Sequence, residues 1–162
     1  MAEDTPSQSG AAGAQEFAIQ KLYVKDVSFE APSSPEVFLG EWKGETNIQL
    51  HTESRALDEA THEVTLTATV TTRTHEKTAY LVEVKQAGVF TTKGFEPDTL
   101  GHLLGAYCPT LLFPYVREAV SSLVLKGGFP DIQLAPVNFD RLYLQHLEQR
   151  KSEQGNTGAV AH

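Results

Sequence analysis

From His62 to Arg73 the chain alternates without interruption, with Val64, Leu66, Ala68 and Val70 on one side and Glu63, Thr65, Thr67, Thr69 and Thr71 on the other. Only an extended strand, whose successive side chains point to opposite faces, sorts that order into one apolar and one polar surface. The abundance of threonine, β-branched and suited to a pleated surface, points the same way. A lone strand leaves its backbone unpaired, so this one requires neighbours. Thr46 to Thr52 offers one, with Ile48 and Leu50 sharing a side. Beyond the short polar stretch Thr74 to Lys77, Tyr80, Val82 and Val84 oppose Leu81, Glu83 and Lys85, which predicts a strand returning antiparallel to the first.

Upstream, Phe17 to Glu30 has the length of a strand, but its apolar residues change phase. Phe17 and Ile19 give way to Leu22 and Val24, and these to Val27 and Phe29. Bulges, strong twist or burial on both faces account for such shifts. The next segment, Ala31 to Gly44, brackets Val37, Phe38, Leu39 and Trp42 with two prolines and two glycines, and reads as a long loop carrying aromatic residues.

After Pro97 the period changes. Asp98 can cap a short helix, which Pro109 is expected to interrupt. A second helix follows through Leu112, Tyr115, Val116, Ala119, Val120, Leu123 and Val124, starting near Phe113 or kinked at Pro114, and Gly127 and Gly128 end it. A last helix opens on Asn138 and aligns Phe139, Leu142, Tyr143, His146 and Leu147. The fold class is therefore α+β: a four-stranded antiparallel sheet with helices packed on one face. Residues 1–15 and 152–162 lack periodicity and are expected to be disordered tails around a single domain, 16–151.

A net charge of -8, with the basic residues interspersed among acids, opposes a nucleic-acid partner. The opening residues lack the basic and apolar regions of a secretory signal, and no apolar run approaches a bilayer span, so a cytoplasmic protein without direct membrane insertion is expected. The glycines form no phosphate loop, dinucleotide fingerprint or nucleophile elbow. The histidines lack paired ligand spacing, so neither metal nor cofactor is indicated. Cys108, between Tyr107 and Pro109 in an apolar stretch, fits a buried thiol better than a nucleophile. No catalytic residue can be named, and the chain reads as a binding protein and not an enzyme. Apolar residues in the loop around Trp42, and a sheet with edges and a face to cover, make self-association a physical expectation.

Three segments carry a family resemblance. GAYCPTLLFPYVRE, from Gly105 to Glu118, and GGFPDIQLAPVNFDRLY, from Gly127 to Tyr143, closely resemble the signature regions of SecB, the bacterial protein-export chaperone, as does IQKLYVKDVSFEAPSSP from Ile19 to Pro35. The resemblance runs in order from about Phe17 to Gln149. It implies a homotetramer, a dimer of dimers, that holds unfolded precursor polypeptides in a translocation-competent state and delivers them to the SecA motor, without a cofactor of its own. It further implies a client groove lined by Trp42, Ile48, Leu50, Leu142, Tyr143 and Leu147. The implied motor-binding patch comprises Asp26, Glu30, Leu81 and Glu83, and the implied tetramer contacts are Val82, Val84 and Gln86. The segment from Ser152, SEQGNTGAVAH, does not align with the tail through which such chaperones engage a small zinc domain of the motor. Two other functions stay open: a relative serving a toxin–antitoxin module, and a carrier of a small apolar ligand.

Overall fold

The computed structural model describes residues 14–157. Four strands, β1 (Glu16–Glu30), β2 (Glu45–Asp58), β3 (Thr61–Thr74) and β4 (Lys77–Lys93), form one antiparallel sheet in the order β1-β4-β3-β2. The expected alternation is present and the strands run longer than the pattern alone indicates. Cross-strand partners share a face. Val64, Leu66, Ala68 and Val70 of β3 therefore lie beside Gly88, Gln86, Val84 and Val82 of β4 on an inner face. Thr65, Thr67, Thr69 and Thr71 lie beside Ala87, Lys85, Glu83 and Leu81 on the outer one.

The phase changes in β1 are two bulges. Pairing slips between Ile19 and Lys21 and again between Val24 and Asp26, where the apolar residues switch sides. Each extra residue restores the inward aim of the apolar set, so Phe17, Leu22 and Phe29 all pack against the core despite their irregular spacing.

Helices α1 (Pro97–His102) and α2 (Cys108–Lys126) are joined by a π-helical turn, Leu103–Tyr107, into one continuous rod. Pro109 does not end the helix as expected. It sits in the first turn of α2, directly after the widened turn in which the Cys108 N–H reaches back to the Leu103 carbonyl. Pro114 is inside α2 and faces solvent, and Gly127 caps the helix, with Gly128 at φ +85°. Leu112, Val116, Val120 and Val124 seal the inner face of β3 and β4, forming with Leu66, Val70, Val82 and Val84 a core of fully enclosed side chains.

Helix α3 (Phe139–Thr157) starts where Asn138 Oδ1 accepts the Arg141 N–H at 3.0 Å, the expected cap. It runs through Ser152, into the segment expected to be a disordered tail. The stretch Glu148–Gln154 consists largely of straight-chain polar residues that favour helix without needing a partner surface. The remaining residues of both expected tails, 1–13 and 158–162, lie outside the described residues.

Candidate functional site

Helix α2 covers the middle of the sheet and leaves the inner face of its edge strand β2 largely open. Thr46, Ile48, Leu50 and Thr52 share that face, because they pair with the inward-facing Thr72, Val70, Ala68 and Leu66. Ile48 remains 42% exposed. Where α3 passes this face it forms a groove of about 540 Å³, lined by apolar Leu50, Leu104, Phe139, Leu142 and Tyr143 and by polar groups that include His51 and His146.

The wall of the groove is set by how α3 docks. The Tyr143 ring lies flat on the rod: a Cβ on Gly105 would come within 2.6 Å of its Cδ2, and one on Gly101 within 2.7 Å of its hydroxyl. His102 packs edge-on against the same ring at 5.6 Å, and its Nε2 lies 2.6 Å from Asp140 Oδ1. Phe139 meets Phe113 edge to face at 5.7 Å. Gly101 and Gly105, one helical turn apart, are thus needed for close approach of an aromatic ring. The sequence offered the glycines but no sign of their partner.

The loop between β1 and β2 forms a second apolar surface. A 3-10 turn, Glu36–Phe38, presents Phe38 to Phe129 at 5.1 Å, and Trp42 reaches the same Phe129 at 5.6 Å. Phe129 in turn packs on Tyr80 at 4.9 Å, which anchors the cluster to β4. Phe38, Leu39 and Trp42 are 50%, 89% and 37% exposed, so the loop both covers the core and offers apolar area to solvent. Phe129, which follows Gly127 and Gly128, was not singled out in the sequence; its only signal is a large aromatic residue directly after a helix stop.

Of the six expected groove residues, Leu50, Leu142 and Tyr143 line the groove. Ile48 lies beside Leu50 on the same face, and Trp42 belongs to the aromatic loop that leads into β2. Leu147 is half-buried on α3 and is not part of the lining. Leu104 and Gly105, which the sequence did not place at the groove, contribute to the wall.

The outer face unites the expected acidic patch. Glu30 pairs with Leu81, Ser28 with Glu83 and Asp26 with Lys85, which places Asp26, Glu30, Leu81 and Glu83 on one surface across two adjacent strands. Farther along the same face, Glu63 is almost enclosed. Lys25 Nζ donates to it at 2.8 Å, the Tyr23 hydroxyl donates to its other oxygen, and Arg55 stands 3.5 Å away. The Lys25 and Tyr23 hydrogen bonds hold its carboxyl below the usual carboxylate range, while burial and the Glu63 charge push the Tyr23 hydroxyl up to about 12.

Val82, Val84 and Gln86 do not offer an assembly surface directly. They are 1%, 0% and 3% exposed within the single chain, on the face that α2 covers. Alternation sets them opposite Leu81 and Glu83 as expected, but that side is the chain's own core. Cys108 is fully enclosed, and burial pushes its thiol up to about 12, far from the thiolate a nucleophile requires. Among the described residues no cluster of metal-binding side chains occurs, and no helix is long and apolar enough to cross a membrane.

Fold and surface together define an α+β protein that carries an open apolar track along one edge of its sheet. The chain belongs to the SecB family of protein-export chaperones: the family described as preprotein translocase subunit SecB matches residues 10–150. It is 61% identical to the protein-export protein SecB of Thioalkalivibrio sulfidiphilus, covering 88% of this chain and 87% of that one. It is 54% identical to the protein of the same name from Alkalilimnicola ehrlichii, covering 99% and 91%. In three dimensions it resembles a Mycobacterium tuberculosis SecB-like chaperone, solved in complex with a ChAD peptide from the HigA1 antitoxin. The TM-score is 0.62 at 15% identity, covering 75% of this chain and 90% of that one, a likeness of fold.

Proposed function

We propose that the chain is a holdase that binds unfolded precursor polypeptides, keeps them competent for translocation and passes them to the SecA motor in the cytoplasm. The observation that carries this reading is the apolar track from Phe38 and Trp42 through Ile48 to Leu50 and Leu142, which α2 leaves uncovered. Such a surface suits a client of no fixed sequence, because weak apolar contacts add along an extended segment without demanding one geometry. Trp42, Ile48, Leu50, Leu142 and Tyr143 make or shape these contacts, with half-buried Leu147 on the same helix α3. The outer patch of acidic Asp26, Glu30 and Glu83, with Leu81 beside them, faces a basic surface of the motor.

The assembly is a dimer of dimers. Ile19, Val24 and Val27 are 47%, 54% and 39% exposed along edge strand β1, and Tyr115 and Leu125 are 47% and 54% exposed on the outer side of α2. This apolar area, with an unpaired strand edge beside it, is what self-association covers. Light scattering should give the mass of a tetramer, and stoichiometric protein should slow the aggregation of a chemically unfolded substrate. A monomer that leaves aggregation unchanged would sink the proposal. The fold shared with the mycobacterial SecB-like chaperone supports a second reading, service to a toxin–antitoxin module. Proteins captured from the cytosol distinguish the two, since one dominant small client indicates the module and many precursors indicate export.

A further inference from the structure

The β3–β4 hairpin turns on His75 and Glu76, at φ 48° and 65°, with Thr74 paired to Lys77 across the turn. Two central residues at positive φ mark the tightest antiparallel connection, where glycine, asparagine and aspartate dominate because larger side chains crowd the backbone. This chain has neither glycine nor asparagine at either place. Strain of this kind persists where surrounding contacts hold it, and the contacts here lead to the aromatic loop.

His75 Nε2 lies 2.8 Å from the Glu41 carbonyl oxygen, so the imidazole donates an N–H to that loop. The neighbouring Thr74, buried at the end of β3, accepts the Lys43 N–H on its Oγ1 at 3.2 Å. The two tethered residues flank Trp42. Arg73 donates to the Glu76 carbonyl at 2.7 Å, which braces the turn from behind. Between the tethers the indole lies over Gly44, where a Cβ would come within 2.6 Å of the ring, and against Phe129.

We propose that His75 is a positioning residue for the client surface: its strained turn aims the imidazole at Glu41, and this hold fixes Trp42 half-exposed at the head of the apolar track. The ligand it prepares for is an apolar segment of an unfolded polypeptide, and this part rests on the chaperone reading above. A loop already fixed in its binding form has less to lose in ordering when a client arrives.

Trp42 is the single tryptophan of the chain, so its fluorescence reports on this loop alone. His75→Asn relieves the turn, since asparagine tolerates positive φ, but is too short to reach Glu41. His75→Gln carries an amide N–H at nearly the reach of Nε2. In His75→Asn, acrylamide quenching of Trp42 should rise and affinity for a reduced, unfolded client should fall about threefold or more. The thermal midpoint should nonetheless hold or rise by about 2 °C. His75→Gln should restore quenching and affinity, and Thr74→Val, which removes the acceptor for Lys43, should repeat the rise in quenching. Unchanged quenching in His75→Asn would overturn the hold. Raised quenching with unchanged affinity would overturn the role in client binding. Failure of the wild-type protein to bind any unfolded client, with the quenching differences intact, would sink the chaperone reading and leave His75 as an anchor of the loop only.

Discussion

One face of one sheet is finished in two ways. Over β3 and β4 it is sealed by α2, and Leu66, Val70, Val82 and Val84 are enclosed completely or nearly so. Over β2 the same face continues through Ile48 and Leu50, but α3 stands off and leaves a groove. The residues are alike in type and in alternation; what differs is the cover. Apolar periodicity thus marks a face that must meet something apolar, while the helix above decides whether that partner belongs to the chain or comes to it. The sealed part supplies stability, and the open part is the surface proposed above to bind clients.

The largest effect is expected from truncating a residue of the sealed part. Leu66→Ala opens a cavity beneath α2 and should cost about 3 kcal/mol of stability in urea unfolding. Client affinity of the protein that remains folded should be unchanged. If the two effects were coupled, with client affinity falling in step with stability, sealed and open surfaces would form one unit and the division would break.

On the outer face, too, an enclosed group sits beside open ones. Glu63 is 8% exposed between Lys25, Tyr23 and Arg55, and it ties edge strand β1, at its second bulge, to β2 and β3. Glu63→Gln removes the charge that these donors face and should cost about 2 kcal/mol. Its folded carboxyl is held below the usual range, so its contribution is fully present above about pH 4.3 and disappears as pH falls through the lower folded value. The wild-type protein should therefore lose more stability between neutral and acid pH than Glu63→Gln, as measured by urea midpoints across that range.

These contrasts also show what the sequence made legible. The alternation in β3, the slipped phases of β1 and the Asn138 cap each arise from neighbours in the chain, and each appears where the pattern placed it. Pro109 misled because a proline shortly after a helical stretch usually marks its end, whereas a π turn here absorbs the missing N–H. The inward aim of Val82, Val84 and Gln86 was legible as alternation, but its cover was not. Trp42 and Tyr143 show the same limit. Their partners, Phe129 and the Gly101–Gly105 notch, are distant in sequence, and nothing in local spacing joins them.

A smaller effect is expected where the track is open. Ile48→Ser exposes no new cavity, since the side chain is already 42% exposed, and stability should change by no more than about 0.5 kcal/mol. Client affinity should nevertheless fall about fivefold, close to the loss of one partly buried aliphatic contact. Isothermal titration with an unfolded substrate reads the second number and urea unfolding the first. A stability loss as large as that of Leu66→Ala would mean that β2 is covered after all.

The smallest effect belongs to the open end of the outer face. Glu83 is partly exposed, 3.9 Å from Lys85, and accepts a 3.4 Å hydrogen bond from Thr69. Glu83→Gln keeps an acceptor for Thr69 and removes only the charge, so stability should move by less than about 0.5 kcal/mol. If Asp26, Glu30 and Glu83 steer a basic motor surface, the association rate with SecA should drop in low salt. At about 1 M salt, where charges are screened beyond about 3 Å, mutant and wild type should converge. Glu63→Gln, enclosed on the same face, should leave that rate nearly untouched while costing more stability. A reversed order, with Glu63 governing association and Glu83 governing stability, would show that burial does not separate the two kinds of acid on this sheet.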